Sequence, residues 1–512
     1  MNKIVRDVLA ALPDGQATGR ISPRNKIWAL PISGLGCDSR RATEDTVFFC
    51  LVGKTSDGHL YAPDAYRNGC RVFVVERPLE LPADALQYRV PDTRHALADC
   101  AAAFYDHPER RIRLIGLTGT KGKTTTALLI RTLLTDAGIP TGYVGTNGVD
   151  YGDLHFHTVN STPESLDIYR YLRDMVDAGM QACVLEVSSQ ALWMERTRGL
   201  IFDTVLFTNL SRDHIGGVEH PDFDHYRDCK RRLFDSYPYS AVAANTDDPH
   251  TAFMTEGVSA PLYTFGLDRA EGDAPLWLGQ HIRPAKKQGR IGVSFEVLRG
   301  GISPEGEWFL PLPGRFNVQN ALAALSVACE RFGVSPACAK ESLSRAVVAG
   351  RFETVTHPAF PDVTFVIDYA HNGVSLTSIL EALRVYEPTR LICLFGSVGG
   401  RTTERRRDLA EAAAYRADLC ILTSDNPGCE HPDEIIDEIN AAFPPDACPR
   451  MLISDRGDAI ARAVKIAKAG DIILLAGKGH EDYQLIGTRR VPYSETDTLK
   501  QALEAAAAAT VR

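Results

Sequence analysis

Short, continuously apolar runs alternate with segments of helical periodicity through most of this chain, and that alternation limits the fold more than any other feature. IRLIGL precedes TTTALLIRTLLTDAG, where Ala127, Leu128, Ile130, Leu133 and Leu134 recur at helical spacing. ACVLEV and TVLFTNL follow, apolar almost throughout, the pattern of strands covered on both faces. From about residue 347 the alternation starts again with VTFVIDYAHN, LICLFGSVGG, DLCILTSDNP and DIILLAGKGHE, separated by helix-length segments. This predicts an α/β fold with parallel sheets in two separate domains. Ligands of such sheets collect beyond the carboxyl ends of the strands, where this chain places polar and glycine-rich residues.

Residues 1 to about 107 differ, holding short β-rich runs such as TVFFCLVG and CRVFVVE. The expected organisation is three domains: a mixed α/β block at 1–107, a parallel-sheet block at 108–346 and a Rossmann-like α/β block at 347–512. A length of 512 residues agrees, since domains average roughly 100–200 residues. The tail ALEAAAAATVR is expected to form a terminal helix.

Composition excludes several classes. Lys and Arg total 56 against 65 Asp and Glu, a net charge of −9, which argues against a general nucleic-acid binder. No apolar run approaches the roughly 18–20 residues of a membrane span, and Arg6 and Asp7 interrupt the N-terminal apolar stretch. The 12 cysteines include no C-x-x-C pair, and Cys183, Cys393 and Cys420 sit in apolar stretches as reduced thiols would. The expectation is a cytoplasmic chain with no membrane or nucleic-acid partner.

LTGTKGKTTT lies between a predicted strand and a predicted helix. Gly119 and Gly122 let backbone N–H groups approach a phosphate, and the helix N-terminus adds the positive end of its dipole. Lys123 offers a charge for the β- and γ-phosphates, and Thr124 or Thr125 a hydroxyl for Mg²⁺. ATP contacts are therefore expected over Thr118, Gly119, Thr120, Lys121, Gly122, Lys123, Thr124 and Thr125. Leu117 stands where the strict phosphate-loop pattern has glycine, which points away from GTPases and kinases.

With CDSRRATEDTVFFCLVGKTSDGH, TGTKGKTTT, NSTPES, EVSSQAL, TNLSRDHIGG, YRDCKRRLF, GRFNVQNALAA, AGRFETV, DYAHN, SDNPGCE and AGKGHE in this order, the chain resembles the Mur ligases, and within them the MurE type. These are ATP-dependent amide-forming enzymes of peptidoglycan precursor synthesis. The resemblance implies a uridine-binding N-terminal domain, a central P-loop ATPase domain and a C-terminal amino-acid-binding domain. It implies ATP and Mg²⁺ as requirements, UDP-MurNAc-dipeptide and a free diamino acid as substrates, and a monomer. Lys121, in place of the family's usual asparagine, resembles the related folylpolyglutamate synthetases.

Taken alone, Glu186 reads as a strand-end cap or ion pair, His214 as a structural histidine and Lys230 as part of a basic helix face. The resemblance implies instead that Glu186 and His214, with Thr124, hold Mg²⁺, and that Lys230 is carbamylated into a further oxygen ligand. It also implies that Asp368 and His371 orient ATP, that Arg351 grips phosphate charge, and that Asn317 and Asn320 lie near adenine. Ser39 and Arg40, with Gly53 and Asp57-Gly58-His59, match the uridine-nucleotide cradle. Ser161, Thr162, Ser188 and Arg196 match the muramyl-dipeptide contacts, with departures at Gln190 and Met194. Arg401, Asp425, Asn426, Gly428, Gly477 and Glu481 match the amino-acid pocket, where Glu430 is also retained. Diaminopimelate enzymes spell D-N-P-R there, the arginine suiting a distal carboxylate. Gly428 leaves lysine and diaminopimelate both open.

Two other readings stand beside a MurE-type ligase: an amide ligase acting on a different acceptor such as a folate, and a nucleotide-binding protein that has lost catalysis.

Overall fold

The computed structural model describes residues 3–18, 21–22, 24–53, 56–212, 215–216, 219–267, 274–287, 290–400 and 403–510. The chain divides into two compact units, Met1–Trp277 with Ala323–Ser335, and Leu278–Leu322 with Pro336–Arg512.

Besides a short antiparallel pair, Lys3–Ile4 with Pro31–Ile32, the first unit holds two larger sheets among the described residues. A 5-stranded sheet runs in the order Gln16–Thr18, Leu86–Arg89, Val72–Val75, Thr46–Phe49, Gly34–Gly36. It is parallel except at its first pair. VFVV and TVFF are buried at every position, and Thr93–Phe104 packs Ala96, Leu97 and Cys100 into the same core. Asp92 starts that helix by accepting the Arg94 and His95 N–H groups.

In the larger sheet, strands Thr141–Gly145, Ala182–Glu186, Arg113–Thr118, Phe202–Phe207, Tyr239–Asn245 and Leu262–Gly266 lie side by side and parallel. Gly148–Tyr151 and Leu154–Phe156 extend its outer edge antiparallel. Ala182–Glu186 is buried at every residue, so helices must cover both faces, as its unbroken apolar run predicts. The helix after the glycine loop spans Lys123–Asp136 and buries Ala127, Leu129, Ile130, Leu133 and Leu134. Leu129 takes the buried place expected of Leu128, which is half-buried.

The second unit contains a 6-stranded sheet in the order Glu353–Val355, Thr364–Asp368, Asp471–Ala476, Arg390–Phe395, Leu419–Leu422, Arg450–Leu452. Only the first pair is antiparallel. Its core joins Phe365, Ile367, Ile392, Leu394, Ile421, Ile473 and Leu475 to Ile460, Leu499 and Leu503 from covering helices. Each fully buried residue of this kind contributes about 1.5–3 kcal/mol. The last helix, Glu495–Thr510, includes the alanine tail. Strands Arg290–Arg299 and Glu307–Leu310 pair antiparallel in the same unit, an element the strand–helix alternation does not announce.

All 12 cysteines are free thiols. Among the described residues no helix is long and apolar enough to cross a membrane.

Candidate active site

In the first unit the glycine loop leaves strand Arg113–Thr118 and is braced by the segment after the neighbouring strand. Thr120 N–H donates to Asn209 O (2.8 Å), Lys121 N–H to Asn209 Oδ1 (2.9 Å) and Thr208 Oγ1 to Lys121 O (2.9 Å). Gly119 is obligatory, because a Cβ there would stand 1.9 Å from Thr208 Oγ1. Gly122 caps the helix at φ +83°, a backbone state glycine adopts without strain. Lys123 Nζ folds back over the loop, donating to Gly119 O (2.9 Å) and Thr120 O (3.1 Å). Thr118 and Thr125 are buried at either end of the loop, while Lys121 is exposed.

Glu186 ends the adjacent strand at 1 % exposure. Its Oε1 accepts from Tyr143 OH (2.5 Å) and Thr146 N–H (3.1 Å), and its Oε2 from Thr124 Oγ1 (3.1 Å) and Thr146 Oγ1 (3.1 Å). The carboxylate is thereby fixed against the first turn of the loop helix. Gly145 leaves it that space: a Cβ would come within 2.3 Å of both Glu186 Oε1 and Tyr143 OH. From helix Phe223–Asp235, Lys230 reaches in at 2 % exposure and donates to Gly119 O (2.8 Å), so it is no part of a solvated face. His214 lies outside the described residues.

The same strand end gathers part of the predicted dipeptide set. Thr162 Oγ1 donates to Glu186 O (2.9 Å) and accepts from Ser188 N–H (3.0 Å). Arg196 donates to Thr162 O (3.1 Å) and pairs with Glu164 (2.9 Å), and Ser161 precedes Thr162 in the chain. Ser188 caps the helix Ser189–Trp193. Ser39 and Arg40 stand in a separate turn, Arg40 paired with Asp38 (2.8 Å) and largely exposed. His59 is buried, its Nε2 accepting from Glu76 N–H (3.0 Å) and its Nδ1 facing Asp57 (2.7 Å), a turn-forming role.

In the second unit, Asp368 Oδ2 accepts from Phe352 N–H (2.8 Å). Burial raises its carboxyl above the ordinary range, against the pull of the Arg351 charge. Arg351 sits 5.1 Å over the Tyr369 ring. His371 Nδ1 lies 2.8 Å from Tyr369 O, so Nδ1 carries the proton, and burial lowers the imidazole toward its neutral form. Asn317 and Asn320 are both buried, Asn320 Nδ2 donating to Asn317 Oδ1 (3.1 Å) and Asn317 Nδ2 to Pro313 O (2.7 Å).

The amino-acid set converges on one residue that sequence reasoning missed. Lys478, fully buried, donates to Asn426 Oδ1 (2.9 Å) and Glu481 Oε2 (2.6 Å), with Asp425 at 3.9 Å. Asn426 Nδ2 also donates to Glu481 Oε2 (2.8 Å). Asp425 Oδ1 has no hydrogen-bond partner among the described residues, and burial raises this carboxyl. A Cβ at Gly477 would meet Asp425 Oδ2 at 2.8 Å. The available signal for Lys478 was a lysine directly after an apolar strand. Gly428 has φ +61° and open space where a Cβ would be. Glu430 accepts from Arg406 (2.5 Å). Arg401 lies outside the described residues.

Three families match in succession: "Mur ligase family, catalytic domain" over residues 31–105, "Mur ligase middle domain" over 117–328, and "Mur ligase, glutamate ligase domain" over 350–479. The chain is 37 % identical over 472 residues to a UDP-N-acetylmuramoyl-L-alanyl-D-glutamate–2,6-diaminopimelate ligase of Caldanaerobacter subterraneus, covering 92 % of this chain and 95 % of the relative. The ligase of that name from Geobacter metallireducens is 36 % identical, with 93 % and 94 % covered. A solved structure of a ligase of that name superposes with a TM-score of 0.67 at 26 % identity over 99 % of both chains. Mycobacterium tuberculosis folylpolyglutamate synthase shares the fold, at TM-score 0.55 and 15 % identity over 75 % of this chain and 92 % of that one.

Proposed function

The chain belongs to the Mur ligase family, and from that premise we propose that it joins a diamino acid to the D-glutamyl side-chain carboxylate of UDP-MurNAc-L-Ala-D-Glu, consuming ATP. The observation that supports this most is the cluster of Lys123, Thr124, Glu186 and Lys230 around one glycine loop. In the first step a carboxylate oxygen of the acceptor attacks the γ-phosphorus, the bond to the β-phosphate oxygen breaks, and ADP leaves. In the second the amino nitrogen attacks the acyl phosphate, phosphate departs, the nitrogen loses a proton, and an amide remains. Both steps gather negative charge, so positioning and cationic stabilisation supply most of the rate. Lys123 would exchange its two carbonyl contacts for the β- and γ-phosphate oxygens.

The oxygen donors Thr124 and Glu186, next to the loop, suit Mg²⁺. With His214 and a carbamylated Lys230 they would hold the ion, which when bound offsets phosphate charge. Thr162, Ser188 and Arg196 would receive the peptide arm, while Ser39 and Arg40 would serve the uridine end. Asp368, His371 and Arg351 would orient ATP, with Asn317 and Asn320 toward adenine. Asp425, Asn426, Gly477 and Glu481, held together by Lys478, would take the incoming amino acid with Arg401. The reading divides the chain into a UDP-sugar domain at 1–107, an ATPase domain at 108–346 and an amino-acid domain at 347–512. It carries with it a monomer working in the cytoplasm.

Purified protein with ATP and Mg²⁺ should release ADP only when both UDP-MurNAc-L-Ala-D-Glu and a diamino acid are present. Equal release with neither present overturns the assignment, and activity with a folate in place of the nucleotide sugar would move the acceptor.

Among diamino acids, the relatives' names favour 2,6-diaminopimelate. Gly428→Arg should raise the preference for meso-diaminopimelate over L-lysine by roughly 10–100-fold in kcat/KM, since a bidentate arginine–carboxylate contact yields about 1.5–3 kcal/mol. Space is available, but φ +61° should cost about 1–2 kcal/mol of stability. An unchanged preference ratio removes position 428 from substrate selection.

A further inference from the structure

Two residues before the cap of helix Phe223–Asp235 the chain places His220, and the helix adds His225 and Cys229. The last two are four residues apart, so they share one helix face. Ligand atoms of all three lie within 4.8 Å of one another. His220 Nδ1 faces His225 Nδ1 at 2.9 Å, and Cys229 Sγ lies 3.7 Å from the same His225 nitrogen. His220 and Cys229 are almost fully buried, at 1 % and 2 % exposure. Trp193 packs on both imidazoles, with ring centroids 5.7 and 4.9 Å away.

We propose that His220, His225 and Cys229 form a binding site for a borderline-soft divalent cation, zinc above all, separate from the oxygen-lined phosphate site. His220 Nε2 lies 2.9 Å from Ser189 Oγ. With its proton given to that hydroxyl, Nδ1 presents a lone pair, the arrangement by which an outer partner fixes the tautomer of a metal-binding histidine. The opposite His225 Nδ1 and the Cys229 sulfur complete a face of two nitrogens and one sulfur. Zinc holds nitrogen at about 2.0–2.1 Å and sulfur at about 2.3 Å, so tetrahedral ligands stand roughly 3.3–3.6 Å apart. The separations of 2.9 and 3.7 Å bracket that value. On binding, the proton that His225 Nδ1 shares with His220 moves to His225 Nε2, the Cys229 thiol loses its proton to solvent, and the sulfur coordinates as thiolate. Three protein ligands leave the fourth position to water. Mg²⁺, which takes oxygen ligands, is excluded by the donor set.

An ion here has a mechanical consequence. It ties the segment before the helix to the helix itself, and the same helix holds the glycine loop. Tyr226 OH lies 3.0 Å from Thr120 Oγ1, and Lys230 Nζ donates to Gly119 O at 2.8 Å. Occupancy therefore stiffens the support of the phosphate loop from behind.

The test is titration of the chelator-treated, reduced full-length protein with Co²⁺. One equivalent should produce the visible bands of a tetrahedral site with a near-ultraviolet thiolate-to-cobalt band. Zinc should abolish both, and a large excess of Mg²⁺ neither. Cys229→Ala should remove the thiolate band, and His225→Ala should weaken cobalt binding by at least about 10–100-fold, because losing a ligand costs no less than losing an outer partner. Zinc should raise the Tm of the native chain and leave that of both variants unmoved. Cys229→Ser keeps the side-chain volume should alanine unfold the chain, and His225→Ala alters only a half-buried residue. The proposal falls if stoichiometric cobalt gives no thiolate band, for then the two imidazoles merely share a hydrogen bond. It falls equally if the band survives in the Cys229 variants, which would place the cobalt on an exposed thiol such as Cys37 or Cys429.

Discussion

Lys123→Ala should lower kcat by at least about 10³-fold, the range seen when a cation or donor that stabilises a phosphoryl or oxyanion transition state is removed. In the folded chain the ammonium rests on two loop carbonyls, Gly119 O and Thr120 O. Losing those charge-assisted bonds should cost about 1.5–3 kcal/mol each. The glycine loop keeps its independent bracing through Thr208 and Asn209. The variant should therefore fold, with an unchanged circular dichroism spectrum, and fail at phosphoryl transfer. Thermal melting measures the first and coupled ADP release the second. Near-native turnover would show that the phosphates lie elsewhere.

The second large effect concerns stability. Arg456 is 1 % exposed and pairs through two nitrogens with Glu495, at 2.5 and 2.9 Å. It also donates to Ser424 O (3.2 Å) and Ala476 O (2.9 Å). Arg456→Ala would strand a buried carboxylate and two carbonyls. Breaking one partner from such a pair costs about 3–5 kcal/mol. At roughly 2–4 °C per kcal/mol, the transition of this part of the chain should fall by about 6–20 °C. Replacing both members with apolar residues, Arg456→Met with Glu495→Leu, should recover much of the loss, because no unpaired charge remains. A double variant as unstable as the single one would mean that the two carbonyl bonds, not the ion pair, dominate. Ser424 and Ala476 each stand next to a pocket residue, Asp425 and Gly477, so binding of the amino acid should weaken in parallel.

The parallel strands were readable from the sequence because burial on both faces demands continuous apolar runs. ACVLEV and DIILLAG became Ala182–Glu186 and Asp471–Ala476 nearly residue for residue. The pair Arg290–Arg299 and Glu307–Leu310 was not readable from the strand–helix alternation: it is a local antiparallel hairpin whose apolar pattern is broken by glycine, serine and charged residues. The loop residues were legible because glycine, lysine and threonine at fixed offsets have a local meaning. Lys230 was not legible from its neighbours: YRDCKRRLF reads as a basic face, and only tertiary packing turns Lys230 inward toward Gly119 while Arg231 reaches Glu256. Lys478 was passed over for the related reason that its burial depends on Asn426, 52 residues away in the chain, as well as on the nearby Glu481 and Tyr483.

Gly145 has no side chain to lend to any chemistry, yet it holds a veto over one. Any atom beyond its Cα would push against Glu186 Oε1 and the Tyr143 hydroxyl together. A substitution there is therefore an indirect edit of the carboxylate, made from the next strand. In a library built to change the acceptor, position 145 belongs among the fixed positions. A natural sequence with a bulky residue at this point would betray a chain that has given up its strand-end carboxylate.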